Sequence, residues 1–277
     1  MPTTDALLRA AIGGTADDLT LTLEPAFQGL PDTAHGGTLL AVFDALAGLS
    51  GARELVGHYR RRVPLAVPLK LGVTRSERVV ACQVLDAAAS ALVEGHVQTA
   101  PDAEATGAPA SAEMPLPVSR TCFACGIDNP LGLRARLGFD AHAVGGMWKP
   151  DARFIASDGR LAPIALTTLL DEAAFWLGAL ATGESGMTTE LRVTLTDAAG
   201  SVGAVRIGGE RAAVRRRADD GRYWQTRVSA WDENDQPVAH ATITFVTVRG
   251  AARRLVNGLL SVNPTDVVRR VFPAYTT

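Results

Sequence analysis

Three short stretches of this chain hold residues whose type and order could do chemistry. The first is His35-Gly36-Gly37, set directly before the apolar run TLLAVFDALAG. If that run is a helix, its first backbone N–H groups have no partner inside it and sit at its positive end. They can then polarise a carbonyl oxygen, and the glycines leave room for it to approach. The second is a carboxylate in the middle of each of two apolar runs: Asp44, nine residues after His35, and Asp171 within LAPIALTTLLDEAAFWLGAL. An acid in an apolar helix is paired, protonated or functional, because burying it ionised and alone is costly. Glu172 follows Asp171, but the helical period aims it about 100° away. The third is Cys122-x-x-Cys125, a spacing that invites a zinc or redox reading. A structural zinc takes about four ligands and no second Cys/His pair follows, so neither a bound metal nor a stable disulfide is expected. His58, His96, His142 and His240 fall in strand-like runs at no useful spacing and read as structural.

The elements that must position these groups repeat. The runs at 36–49 and 161–180 are apolar nearly all round and made mostly of good helix formers, so each predicts a buried helix. Asp44 and Asp171 are 127 residues apart, and the same offset carries Phe27 onto Phe154 and His35 onto Ala162. After each helix come strand-like runs: HYRRRV, PLKLGV, RVVACQVLD and ALVEGHVQT in the first half, TTELRVTLT, VGAVRIGGERAAVRRR, RYWQTRVSAWD and PVAHATITFVTV in the second. ADDGR and DENDQP have hairpin-turn chemistry. One long helix followed by an antiparallel meander, made twice, predicts an α+β fold with the sheet wrapping the helix. The Ala/Pro-rich segment 100–118 reads as a linker between an N-terminal unit, 1–99, and a C-terminal unit, 119–248. The remainder, 249–277, reads as a tail of two short helices broken at Pro264.

Composition narrows the classes. The chain has 277 residues, 27 Lys plus Arg against 29 Asp plus Glu, and 47% hydrophobic residues, enough for a substantial core. A formal net charge of -2 argues against a dedicated nucleic-acid binder. The N-terminus lacks a cationic start followed by an apolar run, and no stretch of about 18 residues is apolar and charge-free. Neither secretion nor membrane insertion is expected, so the expected location is cytoplasmic. The runs Arg60-Arg61-Arg62 and Arg215-Arg216-Arg217 could contact phosphates, though strand residues alternate between faces.

FQGLPDTAHGGTLLAVFDALAG resembles the helix entrance of hotdog-fold acyl-CoA thioesterases of the phenylacetate-pathway and thioesterase-superfamily-member type: an aromatic, a turn, His-Gly-Gly, and an acid nine positions after the histidine. TCFACGIDNPLGLRARLGFD is similar to the Cys-Phe-x-Cys-Gly-x-x-Asn-Pro-x-Gly-Leu leader that precedes the first strand in many members. The resemblance spans about 20–120 and 120–248. It implies two tandem hotdog domains packed as a pseudo-dimer, with the cysteine pair serving leader packing, and further pairing into a homodimer. Gly126-Ile127-Asp128-Asn129-Pro130 is only faintly similar to a hotdog hydratase motif, and the histidine of that motif is missing.

The resemblance also implies how a site would be shared. In the family His-Gly-Gly comes from one unit, and the acid and a strand hydroxyl come from its partner. Carried over, His35, Gly36 and Gly37 would face Asp171, with Thr189 holding a water. The Gly36 N–H would be the oxyanion donor and Asp171 the base or nucleophile. Gln28 would be a further donor and Thr188 would line the substrate pocket. Apart from the resemblance, Phe175 and Trp176 follow Asp171 by roughly one helical turn, which fits either an acyl pocket or the core. The reciprocal site would set Asp44 against Pro163, which stands where Gly36 stands and has no N–H to give. The expected activity is hydrolysis of an acyl-CoA or other acyl thioester at one composite site, with no cofactor beyond the coenzyme A of the substrate. A non-catalytic acyl-CoA binder is the alternative.

Overall fold

The computed structural model describes residues 2–15, 18–100, 113–156, 158–200 and 203–276. Most of the linker segment therefore lies outside the described residues. The first half holds α1 (Thr4–Ala10), β1 (Ile12–Thr15), β2 (Asp18–Leu21), α2 (Gly36–Ala47), β3 (Arg53–Tyr59), β4 (Leu69–Arg75), β5 (Val79–Leu85) and β6 (Ala91–Thr99). The second holds β7 (Met114–Pro115), β8 (Gly138–Phe139), β9 (Ala143–Trp148), α3 (Pro163–Thr182), β10 (Gly186–Leu195), β11 (Val205–Glu210), β12 (Arg215–Arg216), β13 (Tyr223–Trp231) and β14 (Pro237–Thr247). Two tail helices follow, α4 (Ala252–Leu260) and α5 (Thr265–Val271), with Pro264 at the break between them.

One antiparallel sheet runs through both halves, and its strand order shows the repeat. Outward from the middle, the first half reads β3-β6-β5-β4-β2 and the second β10-β14-β13-β11-β9. The two meet where β3 pairs with β10, from Arg53 opposite Leu195 to His58 opposite Glu190. The offset of 127 holds in detail at each helix entrance. Short 3-10 turns at Pro25–Phe27 and Ala152–Phe154, bridges Gln28–Ala34 and Ile155–Leu161, and helix starts at Gly36 and Pro163 all obey it. The helices then differ, α2 running 12 residues and α3 20 before a left-handed glycine ends each.

The sheet curls around the two helices. α3 packs on β9, β10, β11, β13 and β14, α2 on β3, β5, β6 and β10, and the helices touch each other. α3 is apolar and long enough to cross a membrane by composition, but it is the buried core of its half. The leader at 119–135 docks against the first half: Phe123 N–H donates to the Gln28 carbonyl at 2.6 Å, and Asn129 Nδ2 donates to the Ala26 carbonyl at 2.7 Å. Phe123 lies between the repeat-related rings of Phe27 and Phe154, with centroids 5.3 and 6.5 Å away. Within the hydratase-like stretch it is Asn129 that makes this docking bond, while Asp128 pairs with Arg120 inside the leader.

Two expectations about arginines change. β3 ends at Tyr59, so Arg60-Arg61-Arg62 belongs to the following loop and need not alternate as a strand would. In the second half the long run breaks after Glu210 into a 3-10 turn, and only Arg215 and Arg216 form the short β12.

Candidate functional site

A cavity of about 320 Å³ opens where α2, α3, the leader and α4 converge. Its polar floor comes from His35, Gly36, Asp171, Glu172, Thr188 and Cys122. Leu39, Val63, Phe175, Met187, Leu255 and Leu259 supply apolar wall, and Arg61, Arg62, Arg120 and Arg254 also line it. Three of those arginines have carboxylate partners, Asp86, Asp128 and Asp32; Arg62 has none among the described residues.

The entrance of α2 is built so that one donor is left over. His35 is the N-cap, and the Gly37 N–H lies 3.2 Å from both His35 Nδ1 and Asp171 Oδ2. The Gly36 N–H has no acceptor among the described residues, as the first amide of a helix allows. Tyr59, which also lines the cavity, donates from Oη to the Gly36 carbonyl at 2.7 Å and so holds the Gly36–Gly37 peptide. Both glycines are demanded by close approach. A Cβ on Gly36 would lie 2.6 Å from Asp171 Oδ2, and one on Gly37 would lie 2.4 Å from the Thr167 carbonyl oxygen of α3. The two helices therefore touch at Gly37, while Gly36 faces the acid.

Asp171 is buried and aimed from both oxygens. Thr188 Oγ1 donates to Oδ1 at 2.9 Å, while Oδ2 faces the Gly37 N–H and His35 Nδ1, 3.4 Å away. Burial pushes its carboxyl above the usual range, opposed by His35, Thr188 and Gly37. Burial alone would lower the His35 imidazole, but the Glu172 and Asp171 carboxylates outweigh it and raise it to about 9. A doubly protonated imidazole accepts no hydrogen bond, so in that state the Gly37 N–H goes to Asp171.

The related acid in the first half is differently employed. Both oxygens of Asp44 are held by Arg53, through Nε at 2.5 Å and Nη2 at 2.9 Å. Among the described residues no hydrogen bond joins Asp44 to the Pro163 end of α3, and Ala162 offers no side-chain cap where His35 does.

Several site residues sit elsewhere than the sequence implied. Thr189 does not reach the acid; its hydroxyl donates to the Thr244 carbonyl at 3.2 Å, and Thr188 takes the place on Asp171. A bulge opposite β14, between Thr188 and Glu190, resets the strand alternation there. Gly37 is a helix contact whose N–H is already engaged, and it does not line the cavity. Gln28 lines it; one of its two amide N–H groups donates to Thr121 Oγ1 at 2.6 Å and its Oε1 accepts from the Asp32 N–H at 3.1 Å. Phe175 and Trp176 both line it, edge to face at 5.1 Å.

Sequence reasoning missed three contributors. Glu172 is not turned away: its Oε1 accepts the Trp176 indole N–H at 2.8 Å and its Oε2 lies 3.9 Å from His35 Nε2. A tryptophan four residues after a glutamate was the available signal, since such pairs share a helix face. Cys122 and Cys125 do more than pack the leader, because both line the cavity. The Cys122 thiol is lowered by the hydrogen bond from Cys125, against the effect of burial, and the Cys125 thiol is raised by the same bond and by burial. The tail helix α4 is a wall of the site, a role no pattern in its sequence announces.

No protein-family model matches the chain, and no curated protein matches it in sequence. Solved structures do match. A protein of Thermobifida fusca, provisionally named thioesterase II, superposes with a TM-score of 0.60 at 17% identity, covering 90% of this chain and 99% of that one. A protein of unknown function from Alicyclobacillus acidocaldarius, described as having a hot dog fold, gives 0.60 at 11%, covering 87% and 98%. A dehydratase, GphF dehydratase 1, gives 0.56 at 16%, covering 83% and 93%. With the strand order above, these likenesses establish the fold as two hotdog units in tandem.

Proposed function

We propose that this protein hydrolyses an acyl thioester, with coenzyme A as the thiol carrier, at one composite site between its two halves. The observation that carries this reading is the meeting of two helices in one cavity. α2 presents a Gly36 N–H that has no acceptor among the described residues, and α3 presents Asp171, close enough that a single added methyl group would collide with it. Similar structures named as a thioesterase and as a dehydratase share the fold, so the reaction has to be read from these residues.

The thioester oxygen accepts the Gly36 N–H, and the positive end of α2 stabilises the charge that develops on it. Asp171, oriented by Thr188 and the Gly37 N–H, supplies the attack by drawing a proton from water, or it adds to the carbonyl carbon itself and expels the thiolate, leaving a mixed anhydride that water opens to the free acid and Asp171. Its raised carboxyl is a stronger base than an exposed aspartate. In the water route, hydroxide adds to the carbonyl carbon, the C–S bond breaks, and the proton held by Asp171 passes to the departing thiolate. The apolar wall of Leu39, Phe175, Leu255 and Leu259 suits an acyl chain, and the arginines of the rim suit the phosphates of coenzyme A. The reciprocal site is silent, because Pro163 offers no N–H and Asp44 is taken by Arg53.

The test is a screen of short, long and aromatic acyl-CoAs for release of free thiol. At least one should turn over. Binding of acyl-CoAs with no thiol released from any of them would leave a non-catalytic acyl-CoA carrier as the function.

A further inference from the structure

The floor of the cavity holds a second cluster that the hydrolytic reading does not use. One nitrogen of His35, Sγ of Cys122 and one carboxylate oxygen of Glu172 all lie within 4.8 Å of one another, and all three residues are buried. They come from three separate segments: the N-cap of α2, the leader and the middle of α3. That dispersal hid the cluster from any reading of local spacing.

We propose that His35, Cys122 and Glu172 bind one zinc ion, with a fourth coordination position open to the cavity. The donor set is one imidazole, one thiolate and one carboxylate, the mixture that selects zinc over the hard cations. A thiolate and a carboxylate balance the two charges of the ion. Tetrahedral zinc places its ligand atoms roughly 3.3–3.8 Å apart. His35 Nε2 and Glu172 Oε2 are already 3.9 Å apart, so small side-chain rotations complete the set.

Each ligand is also held from behind, as metal ligands commonly are. Asp171 Oδ2 stands 3.4 Å from His35 Nδ1, which leaves Nε2 facing the cluster. The Trp176 indole N–H holds Glu172 Oε1 at 2.8 Å, which leaves Oε2 facing it. The Ala124 N–H points at Cys122 Sγ from 3.3 Å, inside a tight Cys-x-x-Cys-Gly turn. Three protein ligands with an open fourth position facing a cavity is the arrangement of reactive zinc sites. Bound there, the ion would tie the leader to both halves at the floor of the substrate cavity.

The proposal stands apart from the hydrolase reading, because its readouts need no substrate. Purified protein stripped by chelator and dialysed should bind Zn²⁺ in equimolar amount by calorimetry, and its Tm should rise. Co²⁺ should give a thiolate-to-cobalt charge-transfer band and the strong visible bands of four-coordinate cobalt, both lost when Zn²⁺ is added. Cys122→Ser and Glu172→Gln should each lose stoichiometric binding, whereas Cys82→Ser, in β5, should keep it. Wild-type protein that takes up no stoichiometric zinc would overturn the proposal, as would a cobalt charge-transfer band that survives in Cys122→Ser.

Discussion

Gly36 and Gly37 are adjacent in sequence, yet alanine at the two positions should do opposite things. At Gly36 the new Cβ would lie 2.6 Å from Asp171 Oδ2, and an ordinary contact needs about 3.4 Å, so the carboxylate must retreat by about 0.8 Å. Asp171 sits on a side chain and can give way, but it then loses its aim and strains the 2.9 Å bond from Thr188. A misplacement of about 1 Å at a reacting group costs on the order of 10²-fold in rate. Stability should change little, because the group displaced is a side chain that can rotate rather than facing backbone, and Gly36 is the first residue of the helix. At Gly37 the Cβ would meet the Thr167 carbonyl oxygen at 2.4 Å and the Thr168 Cα at 2.6 Å, atoms of the facing backbone that cannot rotate away. The helices must part, and overpacking of this kind costs roughly 1–3 kcal/mol or more. Thermal unfolding and steady-state thiol release on the two purified variants check this. Gly36→Ala with near-wild-type turnover and an intact fold would refute the placement of Asp171 against α2.

Further consequences follow from the same contacts. Asp44→Asn should lower stability by roughly 3 kcal/mol in denaturant titrations, the low end for breaking a buried ion pair since Arg53 keeps some solvent contact, while turnover of the folded protein stays within a few-fold. Thr188→Ala should lower kcat by roughly 10–100-fold, the worth of one hydrogen bond to a charged group, with Thr189→Ala close to wild type. Phe123→Ala should cost about 3–5 kcal/mol by the same titration, because its ring fills the space between Phe27 and Phe154.

The sequence disclosed what is local or repeated. The offset of 127 was visible because each helix entrance is a short, distinctive stretch, and the structure repeats it down to single turns and bridges. Gly36 was legible for the same reason: an amide at the start of an apolar helix has nowhere else to go. What stayed hidden depends on distance in the chain or on single-residue register. Arg53 was not foreseen as the partner of Asp44, because nine residues and a turn separate them. The bulge that exchanges Thr188 for Thr189 leaves no mark in a pattern of alternating residues. Glu172 stands about 100° from Asp171 around α3, yet its longer side chain, held by Trp176, still lines the cavity. The gathering of Cys122 with His35 and Glu172 needs the leader to be folded in place.

The central claim, that Asp171 performs chemistry opposite Gly36, is tested most directly by kinetics of Asp171→Asn on the best acyl-CoA substrate. The amide is nearly isosteric, its oxygen can still accept from Thr188, and the Gly37 N–H keeps His35 Nδ1 as an acceptor, so the fold and substrate binding should be retained. Thiol release should fall by about 10²–10⁴, the usual contribution of a positioned base. A correctly folded Asp171→Asn protein that turns over within a few-fold of wild type would contradict the account.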